Sequence, residues 1–230
     1  MLRSLNLNGN QLEGSIPQSF VNYQGLQVLD LGNNKMNDTF PFWLQSLLPN
    51  LKVLVLRSNL FEGPIPEFTS ESVFPSLQVL DLSNNESAST KPTPHYIGDA
   101  YYQDYVTLTV KGREVLITNI LETFNAIDLS ENMFQGDIPG IVGDLISVLA
   151  LNLSHNSPSG VIPETLGNMK SVESLDLSFN NLDGVIPQQM IDLTFLAMLN
   201  LSYNQFVGPI PQGRQFDTFQ NDSYYGNLQL

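Results

Sequence analysis

The chain has 230 residues, 42% of them hydrophobic, which is enough to bury a substantial core in one or two domains. Its formal net charge is -14, and the nine Lys and Arg residues are scattered without forming a patch, so nucleic acid and anionic membranes are disfavoured as partners. Cysteine is absent, which excludes disulfides and thiolate chemistry, and no stretch approaches the ~18 uncharged apolar residues of a membrane span.

One motif, Leu-x-x-Leu-x-Leu-x-x-Asn, recurs along the chain. Its eight copies are separated by 24, 25, 26, 47, 24, 24 and 24 residues. A near-constant period with one long interval predicts a solenoid that carries a single insertion. The asparagines that end the copies are Asn10, Asn34, Asn59, Asn85, Asn132, Asn156, Asn180 and Asn204.

Each copy begins with a predicted strand that has one buried face. In the seventh copy Leu175 and Leu177 alternate with small polar residues, and this period of two places leucine inside. Stacked copies form a parallel sheet on the concave side, with about 4.8 Å between strands, so the predicted fold is an α/β, right-handed leucine-repeat solenoid. We predict that the eight asparagines form a structural ladder, because an amide can satisfy backbone groups of two neighbouring coils.

The second half of most copies predicts a bend and a helical turn. Six copies continue with Gly-x-Ile-Pro, in which Gly permits the bend, Ile packs inward and Pro ends the hydrogen bonding. An apolar pair spaced i, i+3 follows the proline in several copies and predicts one helical turn on the convex side. These pairs are Phe20 and Tyr23, Val142 and Leu145, Leu166 and Met169, and Met190 and Leu193.

The period divides the chain into four segments. Repeats 1–4 occupy residues 1–85, an insertion 86–123 and repeats 5–8 residues 124–211, and the beginning of a truncated capping segment occupies 212–230. No cap motif is recognised at either end, so both terminal strands are expected to be open. The chain is therefore expected to be a piece of a longer protein, with any export signal or membrane anchor outside it.

The insertion is the non-repetitive surface and is predicted to carry specificity. Residues 106–110 alternate as a strand that ends at a Lys-Gly turn, and residues from Leu116 and Ile117 to Phe124 follow helical spacing. A tyrosine cluster precedes the strand; its members either pack the insertion against the solenoid or contact a ligand. They are Tyr96, Tyr101, Tyr102 and Tyr105.

The whole chain resembles the extracellular region of plant receptor-like proteins, the kinase-less relatives of leucine-rich-repeat receptor kinases. The runs FPSLQVLDLSNN (74–85), YYQDYVTLTVKG (101–112) and LNLSYNQFVGPIPQGRQFDTFQNDSYYGN (199–227) carry the resemblance, with residues 40–65. In that family an island domain interrupts the repeats and four repeats follow it, and the island resembles Tyr, eight residues, then Lys-Gly. Tyr102 and Lys111-Gly112 match that motif.

The resemblance implies a peptide or protein ligand, a co-receptor kinase and an adaptor kinase, in defence or developmental signalling. It also implies a location on the extracellular side of the plasma membrane, with the membrane reached only through segments outside this chain. The candidate contacts for ligand and co-receptor are Tyr96, Tyr101, Tyr102, Tyr105, Lys111, Gly112 and Arg113.

Five Asn-x-Ser/Thr motifs predict N-glycosylation in an exported protein. Two of them, at Asn152 and Asn200, fall on concave strands, where a glycan would block access. Partners are therefore expected to approach the island or the edge of the solenoid. The five sites are Asn37, Asn85, Asn152, Asn200 and Asn221.

Aspartates recur at one strand position, but they do not indicate catalysis. Their spacing follows from the repeat itself, and no nucleophile or metal-ligand set converges on them, so we predict a solvated face or a weak cation-attracting strip, and no catalytic, cofactor or metal site. His95 and His155 are expected to be ordinary surface residues. The four aspartates are Asp30, Asp81, Asp128 and Asp176.

Two alternatives to a receptor-like protein stay open. A secreted inhibitor of cell-wall-degrading enzymes uses similar repeats, although such inhibitors resemble an uninterrupted stack. The ectodomain of a receptor kinase would differ only in the segments beyond Leu230.

Overall fold

The computed structural model describes residues 2–41, 43–44, 48–63, 76–85, 106–110, 113–117 and 125–230, with the backbone alone for 106–110 and 113–117. These ranges contain fifteen short strands. They are β1 (Ser4–Asn6), β2 (Glu13–Gly14), β3 (Val28–Asp30), β4 (Lys35–Met36), β5 (Val53–Val55), β6 (Val79–Asp81), β7 (Val106–Val110), β8 (Arg113–Ile117), β9 (Ala126–Asp128), β10 (Gln135–Asp137), β11 (Ala150–Asn152), β12 (Ser157–Val161), β13 (Ser174–Asp176), β14 (Asn181–Asp183) and β15 (Met198–Asn200).

Eight of these strands form one parallel sheet in the order β1-β3-β5-β6-β9-β11-β13-β15. The strands pair in register, so the central leucine or isoleucine of each lies in one row, and from Leu29 onwards the row is buried. Burial of this row removes apolar surface from water and is the main stabilisation of each coil. The predicted parallel sheet with leucine inside is confirmed.

The long interval in the repeat does not interrupt this sheet. Strand β6 pairs directly with β9, with Val79 opposite Ala126. Across the same junction the backbone N–H of Asn85 donates to Oδ1 of Asn132 at 3.1 Å. Repeats on the two sides of the insertion therefore stack as if they were consecutive.

Within the insertion, β7 and β8 form an antiparallel hairpin, with Val106 opposite Ile117 and Val110 opposite Arg113. The predicted strand at 106–110 is therefore confirmed. The helical prediction is wrong for Leu116 and Ile117, because the chain turns back and pairs its backbone with β7 instead of with residues four positions away. The rest of that predicted helix, residues 118–124, lies outside the described residues.

A second set of strands follows the asparagines, and the repeat pattern did not predict it. These strands form a two-stranded parallel sheet, β2-β4, and a three-stranded one, β10-β12-β14. Four 3-10 helices then begin directly after a proline, as the apolar pairs predict. They are Gln18–Asn22, Gly140–Asp144, Glu164–Asn168 and Gln188–Asp192.

The C-terminal edge of the main sheet is covered, so the expectation of an open strand there is wrong. Residues 212–230 contain two further 3-10 helices, Arg214–Thr218 and Asn221–Tyr224. The backbone N–H groups of Leu201 and Tyr203 donate to this segment at 2.7 Å each, and Phe216 is buried in the main core. The segment adds a further coil against β15. No helix in the described ranges is long and apolar enough to cross a bilayer.

Candidate functional site

The asparagines that end the repeats bridge neighbouring coils. The amide of Asn180 donates to the carbonyls of Leu177 and Ser178 in its own coil, at 2.9 and 3.2 Å, and to Leu153 of the preceding coil at 3.0 Å. Its Oδ1 accepts the backbone N–H of Asn156 at 3.1 Å. The same pattern recurs at Asn34, Asn59, Asn85, Asn132, Asn156 and Asn204.

The capping segment extends this ladder by one asparagine that the sequence motif missed. Asn227 donates to the carbonyls of Leu201 and Tyr224 at 3.0 and 2.8 Å, and its Oδ1 accepts the N–H of Phe206 at 3.1 Å. The signal that could have found it is its distance from Asn204, close to the repeat period. Gly226 before it has φ of 85°, the left-handed conformation found before the other ladder asparagines.

A row of aromatic rings lies along the turn beside the ladder. His155 stacks on Phe179 and Phe179 on Tyr203, each pair with ring centroids 4.2 Å apart, and Tyr225 meets Tyr203 edge-on at 5.5 Å. The spacing of about 4.8 Å between coils suits such stacking. Phe179 and Tyr203 are 41% and 45% exposed. His155 is exposed as predicted, but it is the first ring of this aromatic stack.

A trough of about 240 Å³ lies on the concave face over β9, β11, β13 and β15. Its lining follows the repeat in rows. A row of small residues that ends in Met198 comes first, then a row of Asp and Asn, then serines, and then the side chains just before the ladder. In that order the rows include Ala126, Ala150 and Ser174; Asp128, Asn152, Asp176 and Asn200; Ser130, Ser154 and Ser178; and Glu131, His155 and Phe179.

The concave face differs between the two halves of the sheet. Val53, Val55 and Val79 are buried in an apolar cluster separate from the main core, together with Ala126 and Ala150. The predicted pattern of small polar residues outside therefore fails over β5 and β6. It fits β13, where Ser174 and Asp176 line the trough.

The four strand aspartates do not form a solvated face, so that alternative is wrong, while a cation-attracting strip stays a prediction. Asp30, Asp81 and Asp128 are 7%, 0% and 3% exposed, and Asp176 is half-buried. In each, Oδ1 accepts the backbone N–H two residues further on, at 2.9 to 3.1 Å. These bonds close a tight turn after the strand, which is a common structural use of aspartate.

Two of these carboxylates are strand partners, Asp81 on β6 and Asp128 on β9. Burial, together with the neighbouring Asp128 carboxylate, raises the pKa of Asp81 to about 7, although Ser83 and Arg57 oppose the shift. Burial also raises the pKa of Asp128. Neither Oδ2 atom has a hydrogen-bond partner within the described part of the chain, although Arg57 lies 3.9 Å from that of Asp81.

The side chains that the structure describes include no cluster of metal ligands. No group of three or more His, Cys, Asp or Glu residues there could hold an ion.

Most of the predicted island contacts lie outside the described residues: Tyr96, Tyr101, Tyr102, Tyr105, Lys111 and Gly112. Arg113 is the first residue of β8 and pairs with Val110, and its backbone alone is described. The role of these residues stays a prediction.

The five glycosylation motifs differ in accessibility. Asn37 and Asn221 are exposed. Asn152 and Asn200 are half-buried, and Asn200 exchanges hydrogen bonds with Ser202 and Asp176. Asn85 is 4% exposed, and its amide nitrogen donates to three carbonyls. A glycan on Asn85 would break those bonds, so the geometry favours Asn37 and Asn221.

Comparison with known proteins places these repeats among plant proteins. The family model described as leucine rich repeat matches residues 1–61 and 146–206. Receptor-like protein 18 and Receptor-like protein 35 of Arabidopsis thaliana are each 42% identical to the chain, over 62% and 64% of its length. The matches cover 19% and 17% of those proteins, so the chain spans less than a fifth of the length of these relatives.

Solved structures with the same architecture include receptor ectodomains. A TDR receptor aligns with 100% of the chain at a TM-score of 0.73 and 29% identity, over 35% of its own length. The plant peptide hormone receptor RGFR1, in complex with RGF2, aligns with 91% of the chain at a TM-score of 0.67 and 29% identity, over 30% of its own length. The Arabidopsis receptor kinase HAESA, in complex with the peptide hormone IDA and the co-receptor SERK1, aligns with 98% of the chain at a TM-score of 0.63 and 25% identity, over 37% of its own length.

Proposed function

Because the chain belongs to the leucine-rich-repeat family and its relatives are plant receptor-like proteins, we propose that it is part of a non-catalytic receptor ectodomain that binds a peptide or protein ligand. The observation that carries the proposal is the concave trough over β9 to β15. It combines small side chains, which leave room for a ligand, with polar groups that can orient one. Two of the similar solved ectodomains hold peptide hormones.

The trough is preferred to the solenoid edge as the ligand surface. The edge was expected because glycans on Asn152 and Asn200 would close the concave side. Both amides are half-buried, however, and the Nδ2 of Asn200, the atom to which a glycan would attach, donates to Asp176 at 3.2 Å. We infer that both amides stay unmodified, which leaves the trough over repeats 5–8 open to a ligand.

The remaining partners are proposed by similarity. A co-receptor kinase would meet the island hairpin and the last repeats, and an adaptor kinase would act inside the cell. The protein would then lie on the extracellular side of the plasma membrane, as part of a longer receptor. A secreted inhibitor of cell-wall-degrading enzymes is the second candidate, since it uses the same repeats.

A random dodecapeptide library panned against the chain tests the proposal. Asn152→Trp fills the middle of the trough, while Gln188→Trp places the same bulk on the exposed 3-10 helix at the other side of the coil. Enriched peptides should bind Gln188→Trp like the unmodified chain and Asn152→Trp at least roughly tenfold more weakly. Peptides that bind both variants equally, with thermal unfolding unchanged, would exclude the trough as the site.

A further inference from the structure

We propose that the ligand of the trough is a basic, extended peptide segment, whose Lys or Arg side chains are anchored by Asp128 and Asp176. This inference rests on the proposed function and specifies the ligand class that the proposed function leaves open. It starts from one buried carboxylate oxygen of Asp128. The charge and the spacing of the acidic residues that line the trough provide further support.

The first observation is an incomplete hydrogen-bond shell at Asp128. Its Oδ1 accepts the N–H and the hydroxyl of Ser130 at 3.0 and 2.7 Å, while its Oδ2 has no partner among the described residues. The side chain is almost fully buried and lines the trough. A buried carboxylate oxygen without a donor is destabilising, so a group that brings a donor and a positive charge gains more there than at a solvated site.

The second observation is the sign of the charge around the trough. Three acidic residues line it, Asp128, Asp176 and Glu131, and no Lys or Arg is among the described lining residues. Burial is the largest cause of the raised pKa of Asp128, and the negative charges of Asp176 and Glu131 add to it. The trough is therefore a region of negative potential, which attracts basic ligands and repels acidic ones.

The neighbouring repeat does not neutralise this charge. Asp81, the strand partner of Asp128 on β6, has an unpartnered Oδ2 of its own, with Arg57 at 3.9 Å. On the other side, Asp176 accepts from Asn200 at 3.2 Å, a neutral donor. Within the described part of the chain, the charge of the two proposed anchors is thus left for a ligand.

The third observation is the spacing of the anchors. Asp128 lies on β9 and Asp176 on β13, with β11 between them. Two intervals of about 4.8 Å place the carboxylates about 10 Å apart, and an extended peptide rises about 3.3 Å per residue. A peptide that crosses the strands would therefore bring basic residues at positions i and i+3 over the two anchors.

Replacing either anchor by asparagine should keep the fold, because other repeats already have asparagine at this strand position. Asparagine occupies the same strand position at Asn152 and Asn200, where its Oδ1 accepts the same N–H two residues on. Asp128→Asn and Asp176→Asn should therefore remove charge and preserve the turn. Expression in bacteria avoids N-glycosylation of the sequons that both changes create. Asp183→Asn is the matched control, since Asp183 is an exposed aspartate of β14 outside the trough.

The experiment pans the random dodecapeptide library against the chain and measures the affinity of the enriched peptides for each variant. We expect enriched peptides to carry Lys or Arg, with pairs at i and i+3. The Asp128→Asn, Asp176→Asn double variant should bind them roughly tenfold to a hundredfold more weakly, and Asp183→Asn should bind them unchanged.

Three outcomes separate this inference from the proposed function. Enriched peptides that are neutral or acidic, or that bind the double variant as tightly as the unmodified chain, overturn the basic ligand alone, provided that Asn152→Trp still weakens their binding. Basic peptides that bind Asn152→Trp unchanged place the ligand outside the trough and contradict both proposals. A library without any enriched peptide also contradicts both.

Discussion

At the scale of single residues, the fold depends on side chains that complete the hydrogen bonding of the backbone. A ladder asparagine satisfies carbonyl and N–H groups in two coils at once, and a strand aspartate satisfies the turn after it. Both types of bond are local to one position of the repeat. Their loss therefore has a predictable effect at each position.

We predict that Asn180→Ala lowers the free energy of unfolding by about 3 kcal/mol. The change leaves three buried carbonyls and one N–H without their partner, and each such group costs about 1–3 kcal/mol when no water replaces it. The adjacent Asn181→Ala is the control, because Asn181 is exposed on β14. Denaturant unfolding of both variants measures the difference. Equal stabilities would show that the ladder amide is dispensable.

The raised pKa of Asp81 predicts that the free energy of unfolding falls as pH rises. Its folded-state pKa is raised from 3.8 to about 7, with burial and Asp128 as the raising influences and Arg57 and Ser83 opposing them. The folded state therefore binds this proton more tightly than the unfolded state does. The resulting stabilisation is full below about pH 4 and is lost as pH rises through about 7.

The measurement is denaturant unfolding of the chain and of Asp81→Asn between pH 4 and pH 8. One pKa unit corresponds to about 1.4 kcal/mol, so the chain should lose a few kcal/mol relative to Asp81→Asn across this range. Asp183→Asn should keep the slope of the unmodified chain. A stability difference that stays constant with pH would contradict the raised pKa.

The sequence predicts the outward direction of the strand aspartates, but not their burial. Alternation with leucine places Asp81 on the face away from the core, and it is there. Whether that face is wet depends on what lies against it, and Val53, Val55 and Val79 on the same sheet are buried. The alternation of polar and apolar residues along one strand carries no information about contacts with residues that are distant in the sequence.

At the scale of elements, the aromatic stack connects the turns of the last repeats. We predict that Phe179→Ala destabilises the chain by about 1–3 kcal/mol, because its ring stacks on two neighbours and each pair contributes about 0.5–1.5 kcal/mol. Tyr225→Ala, which removes one edge contact, should cost about half as much. Thermal unfolding compares the two. A larger effect at Tyr225 would show that the stacking is incidental.

The hairpin of the insertion carries a prediction about partners. Tyr102→Ala and Lys111→Ala should each weaken association with the co-receptor kinase, because the two residues match the island motif that the resemblance implies for binding. In the sequence, Tyr102 precedes β7 and Lys111 lies between β7 and β8, and neither belongs to the leucine repeats, so thermal unfolding of the repeats should be unchanged. A pull-down from plant tissue with the full-length receptor measures the association. Undiminished recovery of the kinase would refute the assignment.

Elements with a strict period were predictable, and elements that depend on pairing were not. Leucine alternation is enough for the main sheet, since each strand can bury its leucines only against the next coil. The hairpin partner at 113–117 and the cap around Asn227 lack the leucine motif. Their positions follow from a turn and from an asparagine at the repeat distance, which are weaker signals than the full motif.

At the scale of the whole molecule, direct pairing of β6 with β9 explains how one chain combines regularity with specificity. The stack continues across the insertion, so the insertion can vary without breaking the sheet. The trough lies on the repeats after the insertion, near the junction. Its location could not be predicted from the sequence, because it depends on which outward side chains are small and which faces are buried.

Site-specific photo-crosslinking tests the central proposal, that repeats 5–8 bind the ligand in the concave trough. A photoreactive phenylalanine analogue replaces Ser174 in the trough or Gln188 on the exposed helical turn, and the chain is irradiated with a labelled peptide from the library selection. The proposal predicts crosslinks from position 174 and none above background from position 188. Crosslinks from position 188 alone would contradict it.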